Sequence, residues 1–378
     1  MSRRWIVASL LVLAGVVPGT AGAQEEEPQV SAAEGATLKL EVLAQPQAST
    51  TSVDSELETD FELRRARLTA EGQAGVRWSG RIQMDFEPER ARFRDAYLAG
   101  RVSDALSVWA GQFKVPFNGI DIESGKRLIA IERGARIRGT SGSTTSTSGM
   151  LAASALSARG RGVMALSRWA DGRVRLQAGA WLGAGERGET NDGKQLAARF
   201  EFEPWASDRE RLPLVLAAAV VTNGYFGSPR DTLVVAGGDS IITENAEYAT
   251  AFEGWVELGR YAAPGMHVAG NVVAGDNPLA PRIEGTDVEF ASFLGMQLWG
   301  EFVLQGPGAL TGIGLGGRVD RFDPDTDADD NAYLLWTPLV NLYFGKAFKL
   351  QANLDVLSPE SEERDQESAV RIQAQVVL

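Results

Sequence analysis

The sequence contains no cysteine and a single histidine in 378 residues. Without cysteine there is no disulfide framework, so a chain of this length holds its fold by packing or by hydrogen-bonded closure. The one histidine, His267 in "GMHVAG", has no nucleophile motif beside it. A catalytic relay or a histidine-bearing metal site needs more partners than that. His267 therefore reads as an ordinary strand residue, and neither enzymatic activity nor a metal or other cofactor is expected. After the first residues there is also no long apolar run. The best candidate, residues 212–221, is roughly half the length of a spanning helix and includes Pro213. A helical membrane protein is excluded. Positive charge is in deficit, with 37 Lys and Arg against 50 Asp and Glu and a net charge of −13. That balance argues against nucleic acid as a partner.

The N-terminus shows what kind of chain this is. "MSRRWIVASLLVLAGVVPGTAGAQ" joins a basic start, an apolar run from Trp5 to Val17 and small residues Ala21-Gly22-Ala23. This predicts a secretory signal peptide over residues 1–23. Arg3-Arg4 also occurs in twin-arginine signals, but such a pair is common in general export signals too. Residues 24–35, "QEEEPQVSAAEG", form a polar leader without periodicity.

From residue 36 to residue 378 the pattern alternates with period two. In "RWSGRIQMDF", Trp78, Gly80, Ile82, Met84 and Phe86 fall on one side of an extended chain, continuing Val76. Arg77, Ser79, Arg81, Gln83 and Asp85 fall on the other. The same rule sets Leu350, Ala352 and Leu354 against Lys349, Gln351 and Asn353, and Val370, Ile372 and Ala374 against Arg371, Gln373 and Gln375. Turn signals such as "ADGR" (170–173), "AAPG" (262–265) and "GDNP" (275–278) separate the segments. Helical periodicity never persists.

Roughly 16 segments of about 9 to 13 residues emerge, with short and long connections. A soluble β-sandwich uses strands of about 5 to 6 residues. A tilted transmembrane strand needs about 9 to 11. The fold class expected is therefore all-β: a transmembrane antiparallel β-barrel, apolar side to lipid and polar side to a water-filled lumen. Eight tryptophans follow the leader, several near segment ends where an interfacial girdle would sit. In this register Arg77, Arg81 and Asp85 line the lumen. A slip of one residue would expose such charges to lipid at about 2–4 kcal/mol each.

Charge is unevenly distributed. Residues 61–147 carry 15 Lys and Arg against 10 Asp and Glu, in a chain that is acidic as a whole. Within this region "FELRRARL" (61–68), "RDAYL" (94–98), "GQFKVPF" (111–117) and "IERG" (131–134), with the closing "RIQAQVVL" (371–378), resemble the phosphate-selective porins of Gram-negative outer membranes. The resemblance implies an outer-membrane barrel of about 16 strands, passing small inorganic anions passively through a pore narrowed by an inward-folded constriction loop. That loop corresponds to residues near 116–147. The resemblance further implies a homotrimer, contact with lipid and lipopolysaccharide, and insertion by the barrel-assembly machinery. Carried over by position, Arg64 and Arg65 match an arginine pair on an early strand, Asp95 an aspartate before Ala-Tyr, and Ser124 and Arg133 constriction residues that contact the anion. Arginine suits such work because its planar fork pairs with phosphate oxygens and keeps its charge.

The sequence also departs from the family pattern. Asp121 and Glu123 stand where phosphate-selective members tend to have a lysine, and Gly125 replaces the second serine of the loop; Lys126 compensates. The last residue is Leu378, where such barrels usually end in an aromatic. The candidate pore residues are thus Arg64, Arg65, Arg77, Arg81, Asp95, Ser124, Lys126 and Arg133. Two other classes stay open: a structural or scaffolding barrel with little or no conductance, and a transporter for larger or less polar substrates. "DPDTDADD" (323–330) has acidic residues at alternate positions but lacks the glycine and distal glutamate of a helix-flanked calcium loop, and reads as a solvated loop. "GIGLGGR" (312–318) lacks the Lys-Ser ending of a phosphate loop and reads as a strand packed closely against its neighbours.

Overall fold

The computed structural model describes residues 29–32, 35–53, 56–87, 90–137, 142–186, 193–205, 212–224, 232–234, 240–242, 248–284 and 287–378. The expected signal peptide, most of the expected leader and Arg138 of the expected loop lie outside the described residues. A short strand, β1 (Gln29–Ala32), precedes the barrel and pairs with its first strand. The first half of the barrel comprises β2 (Ala36–Val53), β3 (Glu56–Ala74), β4 (Trp78–Glu87), β5 (Arg90–Arg101), β6 (Leu106–Lys114), β7 (Arg159–Trp169), β8 (Val174–Trp181), β9 (Gln195–Phe202) and β10 (Leu214–Asn223). A small hairpin, β11 (Thr232–Val234) and β12 (Ser240–Ile242), lies in the connection that follows. The second half comprises β13 (Ala249–Gly259), β14 (Gly265–Glu284), β15 (Asp287–Gln305), β16 (Gly312–Asp323), β17 (Tyr333–Phe344), β18 (Phe348–Pro359) and β19 (Glu367–Val377).

Each barrel strand pairs antiparallel with the next, β10 pairs with β13, and β19 closes on β2. The result is a closed barrel of 16 strands. At the seam Val42 and Leu378 exchange both backbone hydrogen bonds, at 2.8 and 2.9 Å. Closure leaves no sheet edge, the condition for β-structure in hydrocarbon.

The period-two reading sets the faces correctly. On β15, Met296, Leu298, Phe302 and Leu304 are 42–55 % exposed, whereas Gln297, Trp299, Glu301 and Val303 are at most 4 % exposed. The outward residues form the apolar belt. The expected segment lengths need correction, however. β2, β3, β14 and β15 run for 18, 19, 20 and 19 residues. Their hairpins keep pairing past the roughly 9–11 residues that suffice to cross the bilayer. "GIGLGGR" is strand β16, and its close packing is real: a Cβ on Gly316 would lie 2.0 Å from the Gly300 carbonyl oxygen on β15.

The β6–β7 connection holds three short helices, α1 (Gly119–Ile122), α2 (Gly142–Thr145) and α3 (Thr147–Ala153). It buries Phe117, Ile120, Leu128, Ile129, Ile131, Met150, Leu151 and Leu156 almost completely. Trp181, Trp255 and Trp299, from the inward faces of β8, β13 and β15, pack in the same clusters. This corrects the tryptophan expectation. Trp78 and Trp169 sit exposed at strand ends as a girdle would, but these three are interior residues with the connection as their apolar partner.

Gly316→Val places branched carbons inside the β15–β16 ladder and is expected to prevent barrel closure. Heat-modifiable mobility on gels reads this directly. A variant that still migrates as a folded barrel would refute the close-approach argument.

Candidate functional site

A cavity of about 1550 Å³ lies between β2–β8 and the β6–β7 connection. Its lining carries twelve lysines and arginines against six carboxylates, in a chain with the opposite overall sign.

The strand part of this lining is denser in arginine than strict alternation permits, and two β-bulges are the reason. Opposite β3, Gln45 pairs with Arg65 and Pro46 with Leu63, leaving Arg64 as the extra residue. Opposite β5, Gln83 pairs with Asp95 and Met84 with Phe93, leaving Arg94 extra. A bulge turns consecutive residues toward one face. Arg64 and Arg65 therefore both reach Glu132 of the connection, at 2.6 and 3.9 Å. Arg94 and Asp95 both line the cavity.

Each group is held by partners of opposite charge or by backbone. Arg67 donates to both Asp85 oxygens at 2.8 and 2.9 Å. Arg159 and Arg81 share Asp95 at 2.6 and 3.5 Å, and Arg81 also meets Glu71 at 3.1 Å. Arg94 lies 2.9 Å from Glu186. Arg136 bonds Glu62 at 2.6 Å and Glu132 at 3.2 Å. Such pairs fix the guanidinium planes while the excess of cations keeps the cavity positive.

Two cations, Lys114 at the end of β6 and Arg133 in the connection, are held in a different way. Lys114 donates to the carbonyls of Asp121, Ile122 and Glu123 at 2.7–2.9 Å. Arg133 donates to the carbonyls of Ile120 (3.1 Å) and Glu123 (2.6 Å), with Asp121 Oδ1 at 3.9 Å. Carbonyl acceptors satisfy these donors without cancelling their charge. Burial lowers the Arg133 pKa to about 10, against the pull of Asp121, so the group stays charged at neutral pH. Burial raises the Asp121 carboxyl above its ordinary value even though Arg133, Ser157, Lys114 and Asn118 favour the ionised form. Glu132 goes the other way: burial would raise it, but Arg64, Arg65 and Arg136 hold it well below the usual carboxylate range.

Of the residues expected from sequence, Arg64, Arg65, Arg81, Asp95, Ser124, Lys126 and Arg133 all line this one cavity. Lys126 is paired to Glu41 at 2.5 Å, and the Ser124 amide bonds its neighbour Glu123. Arg77 is the exception. β4 begins at Trp78, and residues 75–77 form the turn before it, with Gly75 at φ +57°. Arg77 is exposed in that turn and is not among the residues that line this cavity. Sequence reading missed Arg67, Arg92, Arg94, Lys114 and Arg159. Arg67 was legible two residues after Arg65 on the same face; Arg94 was not, because only the bulge turns it inward.

The family model described as phosphate-selective porin O and P matches residues 44–233. Among solved structures, the outer membrane channel DcaP of Acinetobacter baumannii is similar at a TM-score of 0.62 and 12 % identity, covering 92 % of this chain and 99 % of that one. OprB of Pseudomonas putida gives 0.58 at 9 % identity, covering 91 % and 94 %. The anion-selective porin from Comamonas acidovorans gives 0.57 at 10 % identity, covering 91 % and 100 %. No curated protein sequence matches the chain. At these identities the structures speak for the barrel alone, while the family model spans half of the chain. The chain belongs to the phosphate-selective porin O and P family and is an outer-membrane β-barrel porin of a Gram-negative bacterium.

Proposed function

We propose that the basic cavity is the permeation path and that small inorganic anions of the phosphate type pass it down their gradient. One observation carries this reading: the twofold excess of cations over carboxylates around the cavity, inside a chain of net charge −13. The β6–β7 connection acts as the inward-folded constriction. Its support is the set of hydrogen bonds from Asn341, Lys349, Gln351 and Arg318 of β16–β18 to carbonyls of residues 128–132, at 2.5–3.0 Å. Fastened there, the connection narrows the lumen toward β3–β7, where the arginines stand. Arg64, Arg65, Arg81, Lys126 and Arg133 supply the field, Ser124 a hydroxyl, and Asp95 positions Arg81 and Arg159. A ladder of half-neutralised arginines fits conduction better than one deep well, since an anion must also leave.

As an outer-membrane porin the protein is embedded in lipid beside lipopolysaccharide and is inserted by the barrel-assembly machinery; a homotrimer is the assembly we propose. The scaffolding alternative requires a lumen without current. Planar-bilayer recording under a KCl gradient, with phosphate titrated in, separates the readings. Anion-selective channels blocked by phosphate support the proposal, and cation selectivity or silence would sink it.

Replacing Arg133 by alanine removes a charged group of the constriction and is expected to shift the reversal potential toward that of a non-selective pore. An unchanged value would remove Arg133 from the path. Acidification is a second handle. Protonation of Asp121, which comes at higher pH than for an ordinary carboxyl, deletes a negative charge beside Arg133. Anion selectivity should therefore rise as pH falls from neutral, and Asp121→Asn should show the raised selectivity already at neutral pH. A variant that keeps the wild-type pH profile would refute this assignment.

A further inference from the structure

The cavity wall beside the arginines is not polar throughout. Tyr97 on β5 and Trp109 on β6 stack with ring centroids 4.5 Å apart and planes 17° from parallel. Phe113 meets both edge-on, at 5.9 and 6.0 Å, and Trp181 continues the row 5.7 Å from Phe113. The row has two ends of different character. Phe113 and Trp181 are buried in the interior cluster, at 3 % and 1 % exposure. Tyr97 and Trp109 are only partly buried and line the cavity.

An apolar plate left open to a water-filled lumen forgoes hydrophobic stabilisation that full burial would provide. Hydrated inorganic ions gain nothing from such a plate. Cationic groups stand next to it: Arg81 is the register partner of Tyr97 across β4 and β5. Asp95, two residues before Tyr97, holds both Arg81 and Arg159 in place. Fixed guanidinium groups and half-open aromatic faces thus share one stretch of wall.

We propose that this junction is a binding site for organic anions with a compact apolar ring. The ring lies against Tyr97 and Trp109, and the carboxylate or phosphate is held by Arg81 and Arg159. The inference rests on the anion-permeation reading and names a further substrate class for the same cavity. The backing by Phe113 and Trp181 keeps the plate rigid, so binding costs little ordering of the wall.

The test uses the full-length barrel in planar bilayers, with chloride current titrated at neutral pH by benzoate and, separately, by gluconate. Both probes are monovalent carboxylates, and gluconate is the bulkier but has a polar body. Benzoate is expected to block at about three- to tenfold lower concentration, as an aromatic contact of this kind implies. Trp109→Leu, which keeps an apolar group against Phe113, should bring the two blocking concentrations together. Trp109→Phe should restore part of the difference. Tyr97→Leu gives an independent second reading if the first variant fails to fold. Equal block by both probes in the wild type, or a preference untouched by both leucine variants, would overturn the inference while leaving an anion-selective channel standing. A cation-selective reversal potential in KCl alone would instead overturn the permeation reading on which it rests.

Discussion

In hydrocarbon there is no water to satisfy a backbone N–H or C=O, so the antiparallel ladder must run unbroken around the barrel. Everything else in this molecule follows from the β19–β2 pairing that completes that ring. Once closed, the sheet has one face in lipid and one around the lumen, and each residue's face is decided by parity. The bulges opposite Gln45–Pro46 and Gln83–Met84 are local exceptions that the ring tolerates. They are also where the lumen gains its densest charge. A rule imposed by lipid on the outside is broken by one residue at a time, to the benefit of the inside.

The β6–β7 connection faces the same constraint from within. It has little regular structure, so its carbonyls need donors from elsewhere. The inward polar residues of the far wall provide them. Asn341 and Gln351 reach Ile129, Lys349 reaches Leu128, Arg318 reaches Glu132, and Arg371 reaches Arg136. Gln375 and Gln45 donate to Lys126 and Gly125 across the seam. Asn271 and Glu253 hold Asn118 and Gly119 at the start of α1. One arc of the barrel is thereby committed to anchoring. The arc from β3 to β7 holds the connection at fewer points, through Arg64, Arg65 and Lys114, while Arg67, Arg81, Arg94 and Arg159 pair with carboxylates outside it and line the cavity, whose position follows from that division of labour.

Much of this was legible in the residues. Period-two alternation requires only that one face differ from the other, and it carried the barrel, its closure class and the faces of β4, β18 and β19. The basic character of residues 61–147 located the site. Three features were not legible. Alternation cannot register a bulge, so it did not explain how Arg64 and Arg65 share a face, although Pro46, which lacks an N–H for the ladder, marks that spot. It cannot tell an outward tryptophan from one that packs inward on a connection, as Trp255 and Trp299 do. Nor can it find a strand's first residue: Arg77 continues the pattern perfectly and still belongs to a turn, because Gly75 reverses the chain there. What failed was local backbone geometry and long-range packing, neither of which leaves a periodic trace.

The pairing of nearly every cavity arginine invites a reading as neutralisation, leaving no field for an anion. The geometry argues otherwise. A carboxylate can occupy only part of a guanidinium's fan of donors, and here single carboxylates serve several arginines at once: Glu132 serves Arg64, Arg65 and Arg136, and Asp95 serves Arg81 and Arg159. Shared counter-ions hold the side chains still without matching their charge one for one. Lys114 and Arg133 go further and take carbonyls as their main acceptors. A wall built this way presents fixed donors and an excess of cationic groups along its length, the arrangement that a ladder of moderate sites requires.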